Sequence, residues 1–287
     1  VVGLRVATPA GTLELGRAPR SAAGPDLRQL ILGSEGTLGV ITSLTVQVRP
    51  APAQRVYDAW RLGSFAQGVG AMRRLAQDGP LPTVLRLSDE AETAVNLATP
   101  GEVGPGASPG GCLAIIGYEG TSGDVEARRS GVSEVLASAG ASPVPGAGED
   151  WARDRYRGPY LRDALLDAGA LVETLETVTF WSSLPGLYEA VSGALRDSLT
   201  AAGTPPAILC HLSHVYRSGA SLYFTVACAQ AEDPVGQWLA AKAAASDAIL
   251  AAGGSISHHH GVGRDHRPWY EREIGELGVA VLRGVKA

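Results

Sequence analysis

Hydrophobic and polar residues alternate with two distinct periods along the chain, and the switch between them marks out its elements. Leu44, Val46 and Val48 alternate with Thr45, Gln47 and Arg49, a period of two that predicts a half-buried strand. Two shorter strands, 4–6 and 13–15, flank the turn Thr8-Pro9-Ala10-Gly11, and residues 26–32 read as a short helix or turn. Pro50-Ala51-Pro52 stops the strand and sets a domain boundary.

Beyond Pro52, strands and helices alternate. Strands are predicted at 56–61, 83–87, 113–118, 171–180, 208–216 and 222–229. Helices are predicted at 64–77, with Ser64 and Gln67 as a capping box, and at 124–138, closed by Gly140. Others follow at 149–156, 159–167 and 184–201, and one begins at Asp233-Pro234 and ends at Gly253-Gly254. Residues 100–111 read as a Gly/Pro loop, and a last helix starts near Pro268. Helices between antiparallel strands predict an α+β fold, a sheet with helices on one face. Two β-α-β blocks echo one another weakly. The predicted domains are 1–51, 52–254 and 255–287, the last a histidine-bearing segment with the C-terminal helix.

Composition narrows the function classes. The chain has 287 residues, 45% hydrophobic and 18% charged, with a net charge of −5, which describes a globular protein. Without a basic run it is a poor partner for nucleic acid. Cys112, Cys210 and Cys228 form no metal-binding spacing and read as reduced thiols, so a cytoplasmic location is expected. The opening Val1-Val2-Gly3-Leu4-Arg5-Val6 reads as mid-domain strand, so a fragment is expected.

Chemistry concentrates in four places. Ser257-His258-His259-His260-Gly261-Val262-Gly263 holds half of the six histidines in a small-residue frame. Such a cluster serves proton transfer, anion binding, a metal or a hydrogen-bonded turn. On a strand, His258 and His260 share one face, which is half a zinc site; His211, His214 or Cys210 could complete it, though no spacing supports them. The loop Gly33-Ser34-Glu35-Gly36-Thr37-Leu38-Gly39 exposes backbone N–H groups but has neither the P-loop nor the dinucleotide pattern, and it is either a cofactor contact or a tight turn. Tyr223 sits on a predicted hairpin; if Arg217 pairs Ala220, His214 lies opposite it. Arg86, alone among apolar neighbours in its strand, and Arg162, on a helix, are either paired internally or aimed at an anion.

Together these motifs resemble one family. Residues 33–42, Gly-Ser-Glu-Gly-Thr-Leu-Gly-Val-Ile-Thr, are similar to the last FAD-contacting segment of the FAD-linked oxidases typified by vanillyl-alcohol oxidase. Ser218-Gly219-Ala220-Ser221-Leu222-Tyr223-Phe224 followed by Ser257-His258-His259-His260-Gly261-Val262-Gly263 resembles the alkyldihydroxyacetonephosphate synthases. The likeness covers the whole chain but only the C-terminal half or so of a family member. It implies an antiparallel sheet covered by helices, the substrate-binding (cap) domain, with a remnant of the FAD-binding domain at 1–51. It implies FAD as cofactor and exchange of the acyl group of an acyl-dihydroxyacetonephosphate for a fatty alcohol, with no net redox change.

Carried over by motif, Tyr223 helps to move the substrate proton, and His258, His259 and His260 form the catalytic cluster. Arg162 binds the substrate, through its phosphate, with Arg86 nearby, and Glu35, Gly36, Thr37, Leu38, Gly39, Val40 and Ile41 touch FAD. Expected partners are a phosphorylated or acidic small molecule, a long-chain alcohol and a second copy in a homodimer, with peripheral membrane contact allowed. The alternatives are an FAD-dependent 2-hydroxyacid (lactate or glycolate) oxidoreductase and an inactive binding module. The hydroxyacid dehydrogenases carry a metal-binding Glu where this chain has His259, and they have a Gly-Asp-Gly-Asn element that it lacks, so no metal is expected. The pyrophosphate-binding loops and the C-terminal tail of the family are missing, which implies weak or no FAD binding by this polypeptide alone.

Overall fold

The computed structural model describes residues 1–96, 110–156 and 158–287, so most of the predicted loop 100–111 lies outside the described residues. The chain divides into two compact units, residues 1–51 with 261–287, and residues 52–260. Residues 255–260 therefore belong with the second unit, where Ser255 bridges Val178, rather than with the C-terminal helix.

In the first unit, β1 (Gly3–Thr8) pairs antiparallel with β2 (Gly11–Leu15) on one side and with β3 (Val40–Thr45) on the other. A single-turn helix, α1 (Arg28–Ile31), precedes the glycine loop. Leu4, Val6 and Ile31 form its small core, with Leu15, Leu32 and Leu38 packed against it. The strand predicted around Leu44–Val48 starts earlier, at Val40, and ends at Thr45. Its hydrogen-bond partner β1 runs only from Gly3 to Thr8, so Val46 and Val48 lie beyond the ladder.

The second unit is a seven-stranded sheet in which every pairing is antiparallel. Its strands are β4 (Gln54–Leu62), β5 (Val84–Ser88), β6 (Cys112–Gly120), β7 (Ser142–Pro143), β8 (Ala170–Phe180), β9 (Ala207–Val215) and β10 (Gly219–Ala229). They lie in the order β7-β4-β6-β5-β9-β10-β8. The helices are α2 (Phe65–Asp78), α3 (Glu90–Asn96), α4 (Ser122–Ser138), α5 (Ala147–Asp154), α6 (Gly158–Asp167), α7 (Leu184–Ala201) and α8 (Pro234–Ala251). The chain then returns to the first unit as α9 (Arg267–Lys286), interrupted at Gly275, whose φ is 71°. The fold is α+β, as the alternation of periods predicts. No helix among the described residues is long and apolar enough to cross a membrane.

Local signals explain the helix ends. Ser64 accepts a hydrogen bond from the Gln67 amide, while the Gln67 side chain accepts one from the Gly63 amide, closing the start of α2. Thr121 caps α4 and Asp233 caps α8, with Pro234 at the first helical position.

The period of two over 222–226 in β10 decides where the site can form. Ala220, Leu222, Phe224 and Val226 are fully buried, each large one contributing about 1.5–3 kcal/mol. Tyr223 and Thr225, on the opposite face, are half-buried. The same alternation puts Cys210 and Leu212 of β9 in the core and His211 and Ser213 on the other face. Helices do not keep to one face throughout, as the sequence pattern suggests. At the β4–β6 end, residues 112–118 are all buried, and Ala59, Leu113 and Ile115 pack against Val144, Ala147 and Trp151 at α5.

Candidate functional site

The antiparallel register sets a row of polar residues across the sheet. Tyr223 of β10 lies opposite His211 of β9 and opposite Glu176 of β8. The hairpin expectation is corrected here: His214 does not face Tyr223. Tyr216 and Gly219 close the turn, so the loop sits one residue earlier, and a register shift between Ala220 and Leu222 displaces the ladder further. His211 takes the place predicted for His214, with its ring stacked on Tyr223 at 5.0 Å.

The histidine run does not form a strand. After the single bridge at Ser255 its backbone bends, so the period-two expectation that His258 and His260 share a face fails. Instead His258 and His259 converge, their Nδ1 atoms 3.3 Å apart, and the His260 ring sets its edge against Tyr223 at 5.5 Å. Thr177 and Thr179 anchor the segment by donating to the Ser255 and Gly253 carbonyls. His258 Nε2 lies 2.7 Å from the Tyr216 hydroxyl. Burial, with His258 alongside, holds the His214 imidazole below its ordinary value.

Glu176 is the residue that sequence reasoning missed. Its side chain is fully buried beneath the histidines, and Ser213 donates to its Oε1 at 2.6 Å. That oxygen lies 3.4 Å from His258 Nδ1 and 3.8 Å from His214 Nδ1, while Oε2 lies 2.5 Å from His259 Nδ1. The signal available in sequence was a carboxylate in the middle of an apolar-rich strand, which is seldom buried unless paired.

A second buried network lies beside the row. Arg86 donates to Glu92 Oε1 at 2.9 Å and approaches His211 Nδ1 at 3.1 Å, and His211 Nδ1 is also 2.9 Å from Glu92. Burial pushes the Glu92 carboxyl up, but His211 and Arg86 outweigh it and leave it at about 2. Burial and Arg86 together push the His211 imidazole down. Asp89 Oδ1 accepts the Glu92 amide, and Tyr188 donates to its Oδ2. Burial drives this carboxyl up to about 6. Arg86 thus has internal partners on the site face of the sheet. Arg162 likewise donates to Glu173 Oε1 at 2.7 Å and to the Val172 carbonyl, and its side chain is 40% exposed, so it keeps access to solvent.

In the first unit, the glycine loop turns through Gly33, Glu35 and Gly36, all at positive φ. Glu35 bonds across to the segment that follows the histidines: Oε1 accepts from the Val262 amide at 2.5 Å and Oε2 from the Gly263 amide at 2.8 Å. Gly261 has φ 81°, and a Cβ there would stand 2.4 Å from Glu35 Oε1, so only glycine fits. The carboxylate that the resemblance assigns to FAD contact also holds this turn. The rest of the segment stays open, with Val40 66% and Ile41 38% exposed. Together with Arg267, Tyr270 and Arg283 the loop lines a groove of about 730 Å³. Apolar side chains beside the Arg267 and Arg283 cations in one groove fit a phosphorylated aromatic cofactor.

Residues 51–287 match the C-terminal domain of FAD linked oxidases. The chain belongs to that family. FAD is accordingly the cofactor implied for it. Among similar members of the FAD-linked group, the alkyldihydroxyacetonephosphate synthase of Dictyostelium discoideum is 35% identical over 305 residues, covering 99% of this chain and 50% of that protein. That of Trypanosoma brucei brucei is 30% identical over 308 residues, covering 100% and 50%. A solved alkyldihydroxyacetonephosphate synthase superposes with a TM-score of 0.73 at 33% identity, over 94% of this chain and 52% of that one. The chain spans about half the length of the curated relatives it matches.

Proposed function

We propose that this chain is the substrate-handling part of an FAD-dependent alkylglycerone-phosphate synthase-like transferase, which replaces the acyl group of an acyl-dihydroxyacetonephosphate with a fatty alcohol. The observation that carries this reading is Tyr223, held between the His211 ring at 5.0 Å and the His260 ring at 5.5 Å on the sheet face opposite Leu222 and Phe224. A tyrosine ring flanked by two imidazoles has proton acceptors beside it, as abstraction next to a carbonyl requires. Relatives bearing the synthase name over the whole chain support the same reading. Arg162, part-exposed, can take a substrate phosphate at the expense of its Glu173 pair. FAD, bound along residues 36–41, would supply the electrophilic ring chemistry of the exchange. Glu35 keeps the 261–263 turn in shape, and the half-buried Arg86 positions His211. A cytoplasmic location and a homodimer belong to the same proposal.

The test uses the full-length FAD-loaded protein with an acyl-dihydroxyacetonephosphate and a long-chain alcohol. Alkyl product is expected, and Tyr223→Phe should lower turnover by at least ~100-fold with FAD still bound. Absence of alkyl product, or bleaching of the flavin by D-lactate or glycolate, would overturn the proposal in favour of a hydroxyacid oxidoreductase.

A further inference from the structure

We infer that Glu176, His214, His258 and His259 bind one divalent transition-metal ion. The inference is independent of the transferase reading, because it rests on four side chains of the second unit and on no flavin chemistry. One ligand atom from each residue, a carboxylate oxygen or an imidazole nitrogen, lies within 4.8 Å of all the others. Their separations suit a metal. Bonds of about 2.0–2.1 Å in a tetrahedron place neighbouring ligand atoms about 3.3–3.4 Å apart. His258 Nδ1 lies 3.3 Å from His259 Nδ1 and 3.4 Å from Glu176 Oε1. His214 Nδ1, on a half-exposed ring, is 3.8 Å from the same oxygen and needs only a small rotation to complete the set.

Glu176 Oε2 is buried and lies 2.5 Å from His259 Nδ1, so this carboxylate meets positive charge at the histidines, whether carried by an imidazole or by a bound ion. Around them, the outer contacts are those that metal ligands require. His258 has its other ring nitrogen 2.7 Å from the Tyr216 hydroxyl, and Ser213 donates to Glu176. Three imidazoles and one carboxylate suit Zn²⁺ and its first-row neighbours rather than Mg²⁺ or Ca²⁺. The motif-based argument against a metal turned on the loss of a Glu at position 259. Glu176, brought up from β8, supplies the carboxylate from elsewhere in the chain. Loaded in this way, the site ties the histidine segment to β8 and β9, and leaves Tyr223 and His260 to handle protons.

The test is metal titration of the purified chain after stripping with a chelator, with no flavin present. Zn²⁺ calorimetry should show one ion per chain, and Co²⁺ should develop the intense visible absorption of four-coordinate geometry. His258→Ala and Glu176→Gln should each weaken binding by about 100-fold. His259→Ala, at a half-exposed position, should do the same without disturbing the fold as judged by circular dichroism, and His266→Ala should bind as the parent does. Failure to take up a stoichiometric ion, or uptake unchanged in His258→Ala and His259→Ala, would overturn the inference in favour of protonated imidazoles around Glu176. The readout is metal uptake with neither flavin nor substrate present, so the two proposals fail separately.

Discussion

Asp89→Asn should stabilise the protein at neutral pH and do much less in acid. Asp89 is 2% exposed, its Oδ1 accepts the Glu92 amide at 2.8 Å, and Tyr188 donates to its Oδ2 at 3.1 Å. Burial outweighs these hydrogen bonds, and the nearby Glu92 charge adds to it, so the carboxyl rises from 3.8 to about 6. In the unfolded chain it ionises at its ordinary value. Below that value both states hold the proton and the group carries no penalty. As pH rises through the window from 3.8 to about 6, the folded state binds more protons than the unfolded one, so stability falls. Above about 6 the loss is complete. A gap of about two units, at about 1.4 kcal/mol each, amounts to about 3 kcal/mol. Asn keeps an acceptor for the Glu92 amide and cannot ionise. The assay is urea unfolding of both proteins at pH 4 and pH 7.5. The stability of Asp89→Asn relative to the parent should improve by about 2–3 kcal/mol between those two pH values. Glu92, held at about 2, titrates below the window, and other carboxylates are common to both proteins. An offset that stays the same at both pH values, or that moves against the variant at pH 7.5, would refute the reasoning.

Two further substitutions test the contacts that shape the site. Gly261→Ala places a methyl group against Glu35 at a φ of 81°, costing about 1–2 kcal/mol of backbone strain and weakening two charge-assisted hydrogen bonds. The first unit should lose at least ~2 kcal/mol, read as faster amide exchange in residues 33–39 and 261–263, and unchanged exchange would count against the bond. Arg86→Met leaves Glu92 charged and buried, and should cost about 3–5 kcal/mol in chemical unfolding. Adding Glu92→Leu should restore most of it, and a double variant no better than the single would show that the pair is not coupled.

Local chemistry was enough to read most elements. Ser64 and Asp233-Pro234 announce their helices because a cap needs only residues three or four apart. The alternation in 222–226 announces a strand with one apolar face, and the Gly-rich frames at 33–39 and 261–263 announce tight turns. Periodicity did not reveal α3, whose start depends on Asp89 capping the Glu92 amide from a buried strand end. The family was also legible, because the tyrosine and histidine motifs keep their order along the chain.

What the sequence by itself determined is therefore the inventory: the strands, the helices, the α+β class, and the tyrosine and histidines that carry chemistry. Only the tertiary structure decided how these parts meet. A register shift in the β9–β10 hairpin, not any change in composition, gave Tyr223 the partner His211 in place of His214. Glu176 reaches His258 and His259 across more than eighty positions, and Glu35 reaches Val262 across 227. Local propensity falls silent at such distances, because these contacts depend on strand pairing and on the burial of charge, both of which are settled only when the whole sheet has formed.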